Sequence, residues 1–158
     1  MKRILVISIL LQYILSIVVL ASCTEGISSD VETAISRHYT TIYQNNVGLN
    51  KAFDQISEGL AKGDINEITH LLPSQCFLSL SNGISGYYSY NQTYYILQDF
   101  FKVKRPISFK YTSIVSNNNP YATGIFTYEI RNRRETAQVF ISVESKGTGW
   151  QISQITIK

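Results

Sequence analysis

Ser89–Tyr111, SYNQTYYILQDFFKVKRPISFKY, decides how the rest of this chain must fold. Ser89 and Gln92 have the S-x-x-Q spacing of a capping box, in which each side chain satisfies the other residue's backbone N–H. Behind that cap Tyr94, Leu97 and Phe101 recur at helical spacing, and Ile96, Phe100 and Val103 make a second stripe beside them. Two adjacent apolar stripes predict a helix covered over more than half its circumference. Gln98, Asp99 and Lys102 are left for its wetter side. Lys102, Lys104 and Arg105 suit the carbonyl end of a helix dipole, and Pro106 excludes Arg105 from helical geometry. Ile107, Phe109 and Tyr111 then alternate with Ser108 and Lys110, which is strand periodicity.

Upstream, Asn50 is placed to cap a helix whose buried stripe is Phe53, Ile56 and Leu60, with Gly63 at its end. Asp64 starts another, turning Ile65, Ile68, Leu71 and Leu72 inward as far as Pro73. From Gln75 the period becomes two. Cys76, Leu78 and Leu80 alternate with Ser79 and Ser81, Asn82-Gly83 turns, and Ile84–Tyr88 returns. Beyond the opening stretch, Asn117–Pro120 is a turn, and Tyr121–Arg131 and Glu135–Ser145 pair as a hairpin around Asn132-Arg133. Trp150–Lys158 closes the sheet. Helices gathered on one side of a curved, mainly antiparallel sheet make an α+β architecture, with three helices and the opening helix innermost.

The first residues have a different role. Met1-Lys2-Arg3 is basic, Ile4–Leu20 is an apolar run, and Leu20-Ala21-Ser22-Cys23 follows. A signal peptide is the default meaning, and an uncleaved membrane anchor is the alternative, since the run approaches spanning length. L-A-S-C resembles a bacterial lipobox, which implies cleavage before Cys23 and lipidation of its sulfur and amine. Two or more acyl chains would hold the protein firmly, at about 0.8 kcal/mol per buried methylene. The expected organisation is therefore a signal peptide over 1–22, a lipidated cysteine with a tether or spacer helix over 23–49 (Val31–Tyr43 has a partial helical pattern), and one domain over 50–158. The expected location is the bacterial cell envelope, with the domain on the periplasmic or extracellular side of a membrane.

Charge and cysteine content restrict function further. The chain carries 14 basic and 11 acidic residues. Loss of 1–22 removes Lys2 and Arg3, leaving 12 against 11, so the balance gives nucleic-acid binding no support. With Cys23 acylated, Cys76 stands alone, no disulfide forms within the domain, and its flanks suit a core position. His38 and His70 lack converging partners for a metal. Neither a phosphate-cradling glycine loop nor a nucleophile elbow occurs, and no cofactor is implied.

The order of elements resembles the cone-shaped fold shared by nuclear transport factor 2, ketosteroid isomerase and SnoaL-like proteins. More narrowly, it is similar to a small bacterial domain family of unknown function within that superfamily, usually secreted or lipid-anchored. Ile56–Asp64, Tyr88–Gln92, Phe100-Phe101 with Pro106 and Phe109, Tyr121–Gly124 and Trp150-Gln151-Ile152 with Ile155 and Ile157 carry the resemblance. It implies an internal pocket, a sheet able to form a homodimer, and no established activity. Enzymes of this fold use carboxylates and tyrosines inside the cone. The candidate carboxylates are Asp54, Asp99, Glu129 and Glu144, and the superfamily's catalytic acids do not map onto them. Tyr87, Tyr94 and Tyr95, with Glu129, are the candidate ligand-binding residues, because aromatic bodies with hydroxyl tips suit a pocket mouth. The leading expectation is a lipid-anchored, non-catalytic binding domain for a small molecule or protein. The alternative is a small isomerase or hydrolase using Glu129 or Glu144 buried beside a tyrosine hydroxyl.

Overall fold

A computed structural model describes residues 30–40, 46–147 and 149–158. The expected leader, Cys23 and residues 41–43 of the expected spacer lie outside that set. Residues 30–40 form a helix with every side chain exposed. The compact unit is Asn45–Lys158.

Helix α1 occupies residues 46–62, so Asn50 lies inside it and is not its cap. The reason is visible in its buried face, which starts at Leu49 and continues through Ala52, Phe53, Ile56 and Leu60. Tertiary burial of Leu49 outweighs the preference of asparagine for a cap. Gly63, at φ 68°, ends the helix. A Cβ there would lie 2.6 Å from Pro106 Cγ, so glycine serves both the left-handed turn and the close approach of the proline. Asp64 then caps Ile65–Leu71, accepting from the Asn66 N–H. This segment is a 3-10 helix, and it buries Ile65, Ile68 and Leu71.

The six strands are β1 (Gln75–Leu80), β2 (Ser85–Ser89), β3 (Arg105–Val115), β4 (Tyr121–Ile130), β5 (Arg133–Lys146) and β6 (Gly149–Ile157), with helix α2 (Tyr90–Val103) between β2 and β3. They form one sheet in the order β2-β1-β6-β5-β4-β3. Every neighbouring pair is antiparallel except β1 with β6, which is parallel. The β4–β5 turn is Arg131-Asn132, both at positive φ, as a two-residue hairpin with the right-handed twist demands. This is one residue earlier than the pattern suggests, and it places Tyr128 opposite Glu135.

Both halves of the capping box form at α2. The Ser89 N–H donates to Gln92 Oε1 at 2.9 Å and the Gln92 N–H to Ser89 Oγ at 3.4 Å. The helix is less enclosed than its two stripes predict. Leu97, Phe100 and Phe101 are buried with Thr93, whereas Ile96 is half-buried and Val103 exposed. In β3, register shifts at Pro106/Ser108 and Tyr111/Ser113 interrupt the alternation, so Phe109 is buried but Ile107 is exposed. A bulge inserts a residue and resets which side faces in.

The space between sheet and helices is packed with rings. Phe101 meets Phe100 and Phe126 edge to face, Phe126 stacks on Tyr128, and Tyr111 touches both Phe53 and Phe109. Each fully buried side chain of this size contributes about 1.5–3 kcal/mol, and no disulfide is needed to hold them.

Candidate functional site

The sequence candidates do not converge. Tyr87 lies across from Phe77, ring to ring at 5.1 Å, on the sheet face turned away from the helices, and is 71% exposed. Tyr94 and Tyr95 do meet, edge to face at 5.2 Å. The Tyr94 hydroxyl donates to Asn66 Oδ1 at 3.1 Å and accepts from Gln98 Nε2 at 3.4 Å, towards the 3-10 helix. Tyr95 turns the other way. Glu129 alternates with the buried Phe126 and Tyr128, so it belongs to the outer face with Thr127 and Ile125. Glu144 is exposed on the same face. Neither glutamate is buried beside a tyrosine hydroxyl between sheet and helices, as an isomerase-like site would need. The buried polar side chains among the described residues are Ser79 and Thr93. Neither can act as an acid or base at neutral pH.

Cys76 is fully enclosed in the core, and burial pushes its thiol up to about 12. It fills space as a small apolar residue and is a poor nucleophile at neutral pH. His70 Nε2 lies 3.1 Å from Gln55 Oε1, and no cluster able to hold a metal occurs among the described residues.

What the structure does assemble is a groove beside α2. It encloses about 340 Å³ between the helix and the β1–β2 turn, lined by Asn82, Ile84, Tyr95, Ile96, Asp99, Phe100, Val103 and Lys104. The incomplete second stripe of α2 is therefore its floor. Lys104 stands at one end, held in three ways. Its ammonium donates to Ser81 Oγ at 2.7 Å and to the Tyr128 hydroxyl at 2.9 Å. It also sits 4.3 Å from the Tyr128 ring centroid and 5.4 Å from that of Phe100, where the ring faces attract a cation. The Tyr128 hydroxyl in turn donates a hydrogen bond to Glu135 Oε2 at 3.0 Å. Asp99, the acid on the groove, accepts from Lys102 at 2.9 Å.

Sequence reasoning missed Lys104, Tyr128 and Glu135. Moving the hairpin turn to Asn132-Arg133 sets Tyr128 against Ala137 and hides its pairing with Glu135. Asn132 suits a positive-φ turn position, but it falls in the turn in either register, so the sequence held no signal that chose between them.

A second hollow, of about 570 Å³, lies on the outer sheet face among Thr112, Thr123, Ile125, Phe140, Thr156 and Lys158. Its hydroxyls already serve one another or neighbours, with Thr112 Oγ1 2.9 Å from Thr123 Oγ1 and Gln154 Nε2 donating to Thr156 Oγ1 at 3.0 Å.

Comparison with known proteins assigns the architecture. Residues 53–158 match the model of DUF4783, a domain of unknown function. Two DUF4783 proteins have similar crystal structures at 16% identity. The one from Bacteroides uniformis has a TM-score of 0.61 and covers 66% of this chain and 94% of its own. The one from Bacteroides ovatus has a TM-score of 0.58 and covers 65% and 89%. An NTF-2 like protein of unknown function from Shewanella oneidensis is similar at 13% identity and a TM-score of 0.53, covering 72% of this chain and 98% of its own. The fold is thus the α+β, nuclear-transport-factor-2-like one, on a mixed, mostly antiparallel six-stranded sheet. The matched region makes up 94% and 89% of the two Bacteroides chains. No curated protein matches.

Proposed function

The chain belongs to the DUF4783 family of domains of unknown function, and from that premise we propose that it is a lipid-anchored envelope protein whose domain binds a small apolar ligand without transforming it. The observation that carries this reading is the groove beside α2, with Ile84, Ile96 and Val103 along it over the buried Phe100. Its volume is at the small end of ligand sites, and apolar lining with a few placed polar groups is their usual composition. The ring-filled interior and the outward-facing Glu129 and Glu144 favour binding over catalysis in the cone.

An uncharged fluorophore such as 1-aminoanthracene tests the groove. It should bind the wild-type domain with a blue-shifted emission, and Ile96→Lys should abolish that signal. Absence of any enhancement with concentrated wild-type protein would sink the reading.

The anchor is a separate part of the same proposal and rests on Leu20-Ala21-Ser22-Cys23. Acylation of Cys23 would place the domain on the periplasmic or extracellular side, tethered by the residues before Asn45. Labelled palmitate should enter the full chain made in a bacterial host and be lost in Cys23→Ala. An unlabelled wild type would refute the anchor and leave the groove untouched.

A further inference from the structure

We propose that the occupant of the α2 groove is a free single-chain amphiphile with an anionic head, its head on Lys104, Ser81 and Asn82 and its chain along Ile84, Ile96 and Val103. This rests on the binding reading and adds the chemistry of the ligand. The inference comes from counting polar capacity at the groove's end. An ammonium has three N–H donors, and the Ser81 and Tyr128 hydrogen bonds use two of them. Ser81 accepts in its bond, so its own proton has no acceptor among the described residues. Asn82 Oδ1 accepts from the Ile84 N–H at 3.3 Å, which leaves its exposed amide nitrogen able to donate. Asp99, the carboxylate lining the groove, has its charge offset by Lys102 at 2.9 Å. The groove thus ends in a fixed cation with a spare N–H, flanked by a hydroxyl and an amide that can also donate, next to an apolar floor.

A carboxylate, sulfate or phosphate head is the complement of such a set, because charge-assisted bonds to an anion are about twice as strong as neutral ones. Lys102, Lys104 and Arg105 crowd the carbonyl end of α2, so its partial negative charge is already met. The cation also keeps its place without a ligand. Tyr128 and Phe100 hold it from below, and little side-chain entropy is then lost on binding.

Calorimetry on the full chain with decanoate, decanol and decyltrimethylammonium, each below its micellar concentration, tests this. Decanoate should bind about tenfold tighter than decanol, with the cation weakest. Lys104→Met should erase the preference for decanoate. Val103→Glu, at a position 63% exposed and thus safe for folding, should weaken both ligands through the lost chain contact and decanoate further through repulsion of its head. Equal binding of decanoate and decanol by the wild type, or a preference that survives Lys104→Met, overturns the anionic head while the groove stands. Failure of both ligands to bind overturns the groove itself, and the inference with it.

Discussion

The Tyr111 hydroxyl donates a 2.8 Å hydrogen bond to the Phe53 carbonyl, and their rings meet edge to face with centroids 5.9 Å apart. One side chain thus ties β3 to the middle of α1, across the densest part of the core. The Phe53 carbonyl lies within a helix, so Tyr111 supplies a second partner to its oxygen. Tyr111→Phe keeps the ring and loses that bond. It should cost about 1 kcal/mol in denaturant unfolding. Burial, and secondly the Asp54 carboxylate, hold the Tyr111 proton on beyond the usual tyrosine range. A proton held more tightly in the folded state stabilises it below the unfolded pKa, and that contribution is lost as pH rises above about 10. The Tyr111→Phe domain should therefore lose less stability than wild type above that pH. An identical alkaline decline in the two proteins would contradict the tie.

Cys76 makes a second alkaline prediction. Its thiol is raised from 9.0 to about 12 by burial, so its contribution is complete below pH 9 and lost as pH rises through 12. At pH 8 an aromatic disulfide reagent should react with it only as fast as the domain opens. Rapid release of the chromophore from native protein would show that the thiol is accessible.

Gly124 on β4 lies against Phe109. A Cβ at that position would be 2.6 Å from Phe109 Cε2 and 2.7 Å from the Lys110 carbonyl. The second neighbour is backbone in the paired strand and cannot move aside without breaking the ladder. Gly124→Ala should destabilise by about 1–3 kcal/mol, the usual cost of overfilling a core. Adding Phe109→Leu should recover part of that loss, leaving the portion owed to the carbonyl. Thermal melts of the two variants measure both.

Local features of the chain were legible in proportion to how few residues decide them. The Ser89–Gln92 capping box needs four residues and the Pro106 exit needs two, and both are present. Alternation alone separates Phe126 and Tyr128 from Ile125 and Glu129, but which set faces the helices is decided by the packing. Ile107 was misplaced because a bulge at Pro106/Ser108 restarts the alternation, and hydrogen-bond register leaves no mark in composition. Asn50 was misplaced because Leu49 is buried by tertiary packing. The groove was the least legible feature. It depends on Ser81 and Tyr128, far apart in sequence, arriving at Lys104 together. Tyr94 and Tyr95 were chosen for their type, yet only Tyr95 lines the groove.

Tyr128 separates position from charge in that groove. Its hydroxyl accepts from Lys104 and donates to Glu135, and its ring supports the same ammonium. Tyr128→Phe keeps the ring and the lysine but removes the hydroxyl that fixes where the cation stands. Glu135 is exposed, so losing its partner costs it little, and stability should fall by about 1 kcal/mol. Decanoate affinity should fall about fivefold, the equivalent of one such hydrogen bond, because the ammonium must be ordered at each binding event. Decanol has only an uncharged hydroxyl to meet it and should bind nearly as before. The two-ligand comparison thus distinguishes a positioning role from general loosening, which would weaken decanol as much as decanoate.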